Sequence, residues 1–256
     1  MKYLQFSLIL MLTALCSCKY SSHTGPVTVE QAQSSGQASV RVTGIDVEQI
    51  HLDVSSSHPG SIEIPVGTVF TADDSGTQTM MTARTVHIDF SGDPDQAYSV
   101  PQTQSINLEV YCTNRMLAAP TPSSSFTIQR GGGELDPVRR LAACMENNHA
   151  DHYTRQLAIW MSSERFLDLS EEEVRAKLHD HNMEMITSGT GLNEIARRVG
   201  IPPAQIQELL NDPDARRVIE EQVDKEAREE VSSYRVKTRP LLEQCNINTT
   251  NYRFFR

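Results

Sequence analysis

The sequence predicts an α+β protein: an antiparallel β-sandwich, immunoglobulin-like or related, followed by an α-helical C-terminal domain. Two patterns predict this fold class. Between residues 38 and 130, apolar and polar residues alternate in short runs, as in strands that have one solvated face. After the triplet Gly131-Gly132-Gly133, apolar residues recur every three or four positions, as in amphipathic helices. A chain of 256 residues is long enough for two such domains.

Six short runs carry the strand pattern, at residues 38–42, 50–54, 61–70, 85–90, 106–112 and 125–129. Clusters rich in Ser, Gly, Pro and Asp separate several of them, at residues 55–60, 73–76, 91–95 and 120–124. Short strands divided by turn residues at this spacing are typical of a sandwich. We therefore expect a β-sandwich domain over residues 38–130.

The helices that follow begin at capping residues. Asp136-Pro137 starts the first helix, because Pro is favoured at the first helical position. Ser170 and Glu173 form a capping box for a later helix. Further helices are expected around residues 153–160, and over 192–199, 203–210 and 214–237. The helical domain is thus predicted over residues 134–245, with a C-terminal tail over 246–256 that docks on the surface.

Residues 1–17 have the features of a signal peptide. Lys2 is followed by an apolar run from Leu4 to Leu15, which is shorter than a membrane span. The sequence Leu15-Cys16-Ser17-Cys18 resembles the lipobox of bacterial lipoproteins. The resemblance implies cleavage before Cys18 and lipidation of its thiol, whereas an ordinary secretory signal would be cleaved near Ser17 or Ser21. Residues 18–37 are polar and predict a flexible tether between lipid and domain.

Composition and motifs exclude several classes of function. A net charge of −10 argues against a nucleic-acid partner, because phosphate binding needs an excess of cations. Residues 192–210 resemble a helix-turn-helix, but the second helix has no basic residue, so we interpret the segment as two packed helices. The chain has no G-x-S-x-G motif, phosphate loop or dinucleotide fingerprint, so no cofactor is predicted.

The mature chain contains three cysteines, Cys112, Cys144 and Cys245, and an exported protein can form disulfides. We predict a Cys112–Cys144 bridge between the strands and the helices, with Cys245 free or paired between chains. His149 and His152 are three residues apart and are weak candidates for metal binding. Solvated polar residues are the expected alternative, so no metal site is predicted.

Cys112 ends a predicted strand in the sequence Tyr111-Cys112, and Gln156 begins the helical run Gln-Leu-Ala-Ile-Trp. These two motifs resemble the thioester (TQxA) domains of bacterial surface adhesins. The resemblance implies an internal thioester, with Cys112 as the thiol and Gln156 as the acyl donor. The alternative from the residues themselves is that Cys112 and Gln156 have structural roles in the packing of the two domains.

The expected function is that of a lipid-anchored envelope or surface protein that binds a protein or glycan ligand. The expectation is partly negative, since no catalytic motif is evident and loops of exposed β-domains often bind ligands. Two alternatives stay open: a covalent, adhesin-like protein with the Cys112–Gln156 thioester, and an exported enzyme of unrecognised hydrolytic type. The membrane is a partner only through the lipid on Cys18, and the sequence predicts no oligomeric state.

Overall fold

The computed structural model describes residues 26–92, 97, 100–129, 133–188 and 202–256. The strands in these ranges are β1 (Val27–Thr28), β2 (Ala38–Gly44), β3 (Gln49–Ser56), β4 (Gly60–Ile64), β5 (Val69–Ala72), β6 (Met80–Thr82), β7 (Val86–Phe90), β8 (Gln102–Cys112) and β9 (Ser125–Gln129). The α-helices are α1 (Val29–Ser34), α2 (Asp136–Met145), α3 (His152–Ser163), α4 (Glu171–Thr187), α5 (Pro203–Asn211), α6 (Pro213–Ser233) and α7 (Arg239–Gln244). None of the helices in the described ranges is both long enough and apolar enough to span a membrane.

Six strands form a closed antiparallel barrel in the order β2-β3-β8-β6-β5-β9. The prediction of an immunoglobulin-like sandwich is therefore wrong, although helices do follow at the C-terminal end. The ring closes through β9, which pairs with β2 at Val42–Phe126 and with β5 at Phe70–Ile128. A two-residue alternation shows that one face of each strand is buried, but it does not show which strands are neighbours. A barrel and a sandwich produce the same alternation.

A core of alternate side chains fills the barrel interior. It includes Ile50, Leu52 and Val54 from β3, and Leu108 and Val110 from β8. The outward-facing residues between them on β3 are polar, in keeping with the pattern seen in the sequence. The longest ladder joins β3 to β8 over eight residue pairs, from Gln49–Glu109 to Ser56–Gln102.

A second, three-stranded sheet in the order β1-β4-β7 packs beside the barrel together with α1. Thr28 caps α1 in a capping box with Gln31, and Val29 and Ala32 are buried in the same cluster as the barrel interior. Part of the stretch predicted to be a flexible tether, residues 18–37, is thus folded. The abundant Ser, Gln and Gly residues indicated a flexible segment, but part of it is a short helix that buries Val29 and Ala32.

The C-terminal helices pack against the outer surface of the barrel. One buried cluster contains Met81 and Tyr111 from the barrel together with Leu157 of α3 and Leu242 of α7. Phe254 and Phe255, which are buried in this cluster, dock the last residues of the chain. The helical and strand regions therefore share one continuous core across their junction.

The α6 and α7 helices are joined by a π-helical turn over Tyr234–Thr238. Pro240 explains this turn, because a proline has no N–H to donate and its ring clashes with the carbonyl four residues earlier. The turn lets the chain continue as α7 without leaving the helical layer, and it carries Tyr234 into the core, where this side chain is fully buried.

Candidate functional site

The candidate site lies where the end of β8 meets α3. Cys112 is the last residue of β8, and Gln156 lies in the second turn of α3. Asp151 is the N-cap of α3, because its carboxylate accepts the backbone N–H of Thr154, which also lowers the pKa of that carboxyl. Leu157 and Met161 bury one side of the helix. The helix therefore presents Gln156 to the main chain of β8.

Gln156 holds the end of β8 through both polar atoms of its side chain. Its Oε1 accepts the backbone N–H of Cys112 at 2.9 Å, and its Nε2 donates to the carbonyl oxygen of Cys112 at 2.8 Å. The preceding ladder bond on this side runs from Val110 N–H to the carbonyl of Glu48. Beyond Glu48 the chain turns, with Asp46 and Ile45 N–H bonded to the carbonyl of Gln49. The Gln156 carboxamide thus replaces the peptide group that β3 no longer supplies.

The thiol of Cys112 points away from Gln156, into the interior of the barrel. The residue is 1% exposed and belongs to the interior core, and its Sγ lies 3.3 Å from the carbonyl oxygen of Val47. Burial, and to a smaller extent the nearby Asp46 carboxylate, raises the pKa of the Cys112 thiol to about 12. The group is therefore protonated at neutral pH, and a thiol rather than a thiolate is a poor nucleophile.

The structure brings together the two residues of the predicted thioester, which are 44 positions apart in the chain. It does so through the backbone of Cys112, however, and both carboxamide atoms of Gln156 are already engaged there. Attack on the Gln156 carbonyl carbon would require the sulfur to leave the Val47 carbonyl and the barrel interior. In the geometry described, the pair serves as a structural junction between barrel and helices.

The disulfide joins Cys144 of α2 to Cys245, which directly follows α7. The predicted Cys112–Cys144 bridge is therefore wrong, and among the described cysteines Cys112 is the free one. The reason is the direction of the strand: residues 108, 110 and 112 point into the barrel, whereas α2 packs on its outer surface. The alternation in β8 puts Cys112 on the same face as Leu108 and Val110, but only the packing shows that α2 lies against the opposite face.

His152 forms a second contact between α3 and β8, one turn before Gln156. Its Nδ1 lies 2.8 Å from Oε1 of Glu109, and its ring stacks on Tyr111 with centroids 5.1 Å apart. His149 is exposed. Within the described ranges, no group of three or more His, Cys, Asp or Glu side chains could hold a metal ion. His152 therefore has a docking role here.

Two further histidines and the helix-turn-helix pattern lie apart from this junction. His179 is 3.3 Å from Asp180 on α4, and burial lowers the pKa of His181 on the same helix. The first half of the helix-turn-helix pattern, over residues 192–199, lies outside the described residues. The second half forms α5, with Ile206 buried.

Arg115 is a junction residue that the sequence did not indicate. It follows β8, and its Nη2 donates to Oε2 of Glu230 on α6 at 2.7 Å. Its guanidinium also lies 5.6 Å from the centre of the Trp160 ring on α3. The ion pair is mostly buried, with 16% and 18% of the two side chains exposed. One loop residue thus connects the barrel to two helices, and no sequence motif marks it.

A polar group of Ser105, His51 and Asp53 lies on the outer barrel wall and was also not predicted. Ser105 Oγ and His51 Nε2 both contact Oδ1 of Asp53. A hydrolytic triad requires the histidine between the hydroxyl and the carboxylate. Here the carboxylate is in the middle, so the group has the residue types of a triad without its connectivity.

No protein-family model matches the chain. No curated protein is significantly similar to it, and no solved structure is significantly similar to it either.

Proposed function

We propose that the protein is an exported, lipid-anchored component of the bacterial cell envelope that binds its ligand non-covalently. The observation that supports non-covalent binding is the geometry of the junction between Cys112 and Gln156. Both side-chain polar atoms of Gln156 are hydrogen-bonded to backbone, and the thiol is buried and protonated. The one nucleophile that the sequence suggested is thus part of the scaffold.

The Cys144–Cys245 disulfide supports export, because such bonds persist in oxidising compartments. If Cys18 carries the lipid, eight residues, 19–26, separate it from the start of β1. An extended chain spans at most about 3.5 Å per residue, so the folded body would lie within about 30 Å of its anchor. A binding module of this kind acts close to the membrane that holds it.

Cell fractionation tests the anchor. We expect the wild-type chain in the membrane fraction and the Cys18→Ser variant in the soluble exported fraction, because no described helix can span a membrane. The matched control is Cys16→Ser, which removes a thiol two positions away and should leave the protein on membranes. Retention on membranes of a Cys18→Ser chain whose signal peptide has been removed, as read by N-terminal sequencing, would contradict lipid anchoring.

Co-sedimentation tests the binding function. The exported Cys18→Ser chain is mixed with envelope fragments from its source cells, from which membrane lipid has been extracted. We expect saturable co-sedimentation that survives washing and is lost after heat denaturation of the protein. Absence of saturable association at micromolar protein concentration would contradict a binding role.

The internal thioester is the second candidate, favoured by the contact between Gln156 and Cys112. In this reaction the Cys112 sulfur bonds to the side-chain carbonyl carbon of Gln156, the C–N bond breaks, and ammonia leaves with the thiol proton. The polypeptide loses roughly 17 Da, the mass of ammonia. Intact mass therefore distinguishes the two functions: our proposal expects the full mass and one alkylatable thiol after unfolding. A wild-type deficit of one ammonia that is absent in Cys112→Ala would establish the covalent alternative.

A further inference from the structure

The outer wall of the barrel carries a continuous face of short polar side chains across β2, β3 and β8. The register places Arg41 opposite Asp53 and Asp53 opposite Ser105, which forms one row across three strands. The next row runs from Ser39 through Ser55 to Thr103. We call these six residues the polar face.

Side-chain hydrogen bonds between strands hold this face in a defined arrangement. Ser55 Oγ and Thr103 Oγ1 are 2.7 Å apart, and Ser105 donates to Oδ1 of Asp53. His51, beside Asp53 on β3, contacts the same oxygen at 3.3 Å. Because the strands belong to a closed barrel with a packed interior, the groups are fixed before any ligand arrives.

Two hydrogen-bonding groups of the face are open. Both contacts to Asp53 are made at Oδ1, and no described residue donates to its Oδ2. The Ser105 hydrogen bond is the main cause of a lowered pKa at Asp53, so the carboxylate is ionised at neutral pH. Arg41 is exposed, and its charge also lowers the pKa of Asp53, although no ion pair joins the two side chains among the described residues. An acceptor and a set of donors therefore face solvent on neighbouring strands.

A shallow cavity of about 490 Å³ lies over these rows, lined by Ser39, Val40, Arg41, Asp53, Ser55 and Thr103. One cationic and one anionic side chain lie opposite each other, so the formal charges of the lining cancel. The remaining polar groups are hydroxyls, each of which both donates and accepts.

We propose that the polar face is a binding site for uncharged, polyhydroxylated glycans. The inference rests on the proposed envelope-binding function and names its ligand class. One sugar hydroxyl can donate to Asp53 Oδ2 while an adjacent sugar hydroxyl accepts from Arg41. The serine and threonine hydroxyls can donate to a sugar hydroxyl or accept from one. Because the charge of the face is balanced, it offers no net attraction to polyanionic or polycationic ligands.

Glycan binding by the full exported Cys18→Ser chain tests the site. The probes are immobilised tetrasaccharides of glucose, mannose, galactose and N-acetylglucosamine, beside oligouronates and sulfated tetrasaccharides. We expect binding to at least one uncharged tetrasaccharide and a preference for it over the charged ones. Titration with the best probe should show at least a tenfold weaker Kd for the double variant Arg41→Ala, Asp53→Asn.

The matched control is Asp89→Asn, an exposed strand carboxylate on the other sheet, which should bind the glycan as the wild type does. Thermal unfolding of all variants checks that they fold. Binding to no uncharged probe at millimolar concentration, binding only to charged probes, or unchanged binding by the double variant would each overturn this site. If the double variant still co-sediments with envelope fragments, the envelope-binding function stands and the polar face alone is refuted.

Discussion

Gln156 shows how one side chain can join two layers of a protein. A strand that loses its neighbour leaves a backbone N–H and a carbonyl without partners, and leaving them buried costs free energy. The carboxamide has one acceptor and one donor at the spacing of a peptide group, so it satisfies both. Asparagine has the same carboxamide, but its side chain is one methylene shorter.

Substitution of Gln156 by glutamate should make stability depend on pH. A carboxylate can accept the Cys112 N–H but repels the Cys112 carbonyl oxygen, so burial and repulsion raise the pKa of the new side chain in the folded state. Its protonated form restores the donor. The deficit relative to wild type should therefore be small near pH 4 and grow as the pH rises through the folded-state pKa.

Urea unfolding of Gln156→Glu at several pH values between 4 and 8 measures this effect. Gln156→Ala should lose roughly 1–3 kcal/mol for each backbone group left unpaired, without the pH dependence. The control Gln33→Glu, on the exposed side of α1, should match the wild type across the range. A pH-independent deficit in Gln156→Glu would contradict the hydrogen-bonding role.

Arg115 is the second residue whose removal should affect the assembly of the layers. Arg115→Ala leaves the mostly buried Glu230 carboxylate without its cationic partner, with only the Tyr234 hydroxyl still donating to it, and we expect a loss of about 3 kcal/mol in unfolding free energy. The exposed pair of Arg216 and Glu220 offers a control, since Arg216→Ala should cost no more than about 0.5 kcal/mol. Equal effects of the two substitutions in urea titrations would contradict the role of burial.

At the scale of elements, closure of the barrel depends on close contact where β2 ends. The backbone N–H of Gly44 donates to the carbonyl of Ser124, just before β9. A Cβ added at Gly44 would lie 2.4 Å from the carbonyl oxygen of Thr121 and 2.9 Å from Cβ of Pro120. Glycine is required here because of the packed backbone, and the contact fixes β2 next to β9.

Gly44→Ala should therefore destabilise the protein by about 1–3 kcal/mol, the usual cost of overpacking. The control is Gly76→Ala, where the nearest heavy atom to the added Cβ is Asp74 Oδ1 at 3.4 Å. Thermal melts and hydrogen exchange of the β2 and β9 amides measure the effect. Unchanged hydrogen exchange of the β2 and β9 amides in Gly44→Ala would contradict this prediction, because the backbone would then accommodate the methyl group without loss of stability.

At the scale of the whole molecule, the disulfide closes a loop of the chain that contains most of the helices. Cys144 and Cys245 are 101 residues apart, and the chain between them includes α3 through α7. Cross-linking so long a loop restricts the unfolded chain, which stabilises the folded state by up to about 4.7 kcal/mol in the chain-entropy model. The bond thus holds the end of the helical region to its beginning.

The double variant Cys144→Ser, Cys245→Ser should unfold at lower urea, with a loss of about 2–4 kcal/mol. The wild type under reducing conditions should show a similar loss. Cys112→Ser removes the free buried thiol and keeps the disulfide, so reductant should lower its stability by as much as it lowers that of the wild type. A wild-type stability that does not respond to reductant would contradict the stabilising role of the bond.

The sequence by itself determined which residues are strands and which are helices in much of the chain, because these depend on local periodicity and caps. The capping box of Ser170 and Glu173 is present as predicted, and so is the helix from residue 203. The alternation in β3 and β8 correctly identifies the side chains that face the barrel interior. Tyr111, on the other face of β8, is buried as well, because the C-terminal helices cover it. The sequence did not predict β1 or α1, which lie in a stretch rich in Ser, Gln and Gly. Their few apolar side chains are buried by partners that are distant in the chain.

Tertiary structure alone decided the closed barrel, the partner of Cys144 and the role of Cys112. Each depends on contacts between residues far apart in sequence: β9 with both β2 and β5, Cys144 with Cys245, and Gln156 with the end of β8. Local pattern specifies which way a side chain faces, but the neighbours of that side chain follow from how the strands and helices pack. For this reason the pairing of Cys112 and Gln156 could be suggested from the sequence, whereas its chemistry depended on the contacts that bury the thiol and engage the carboxamide.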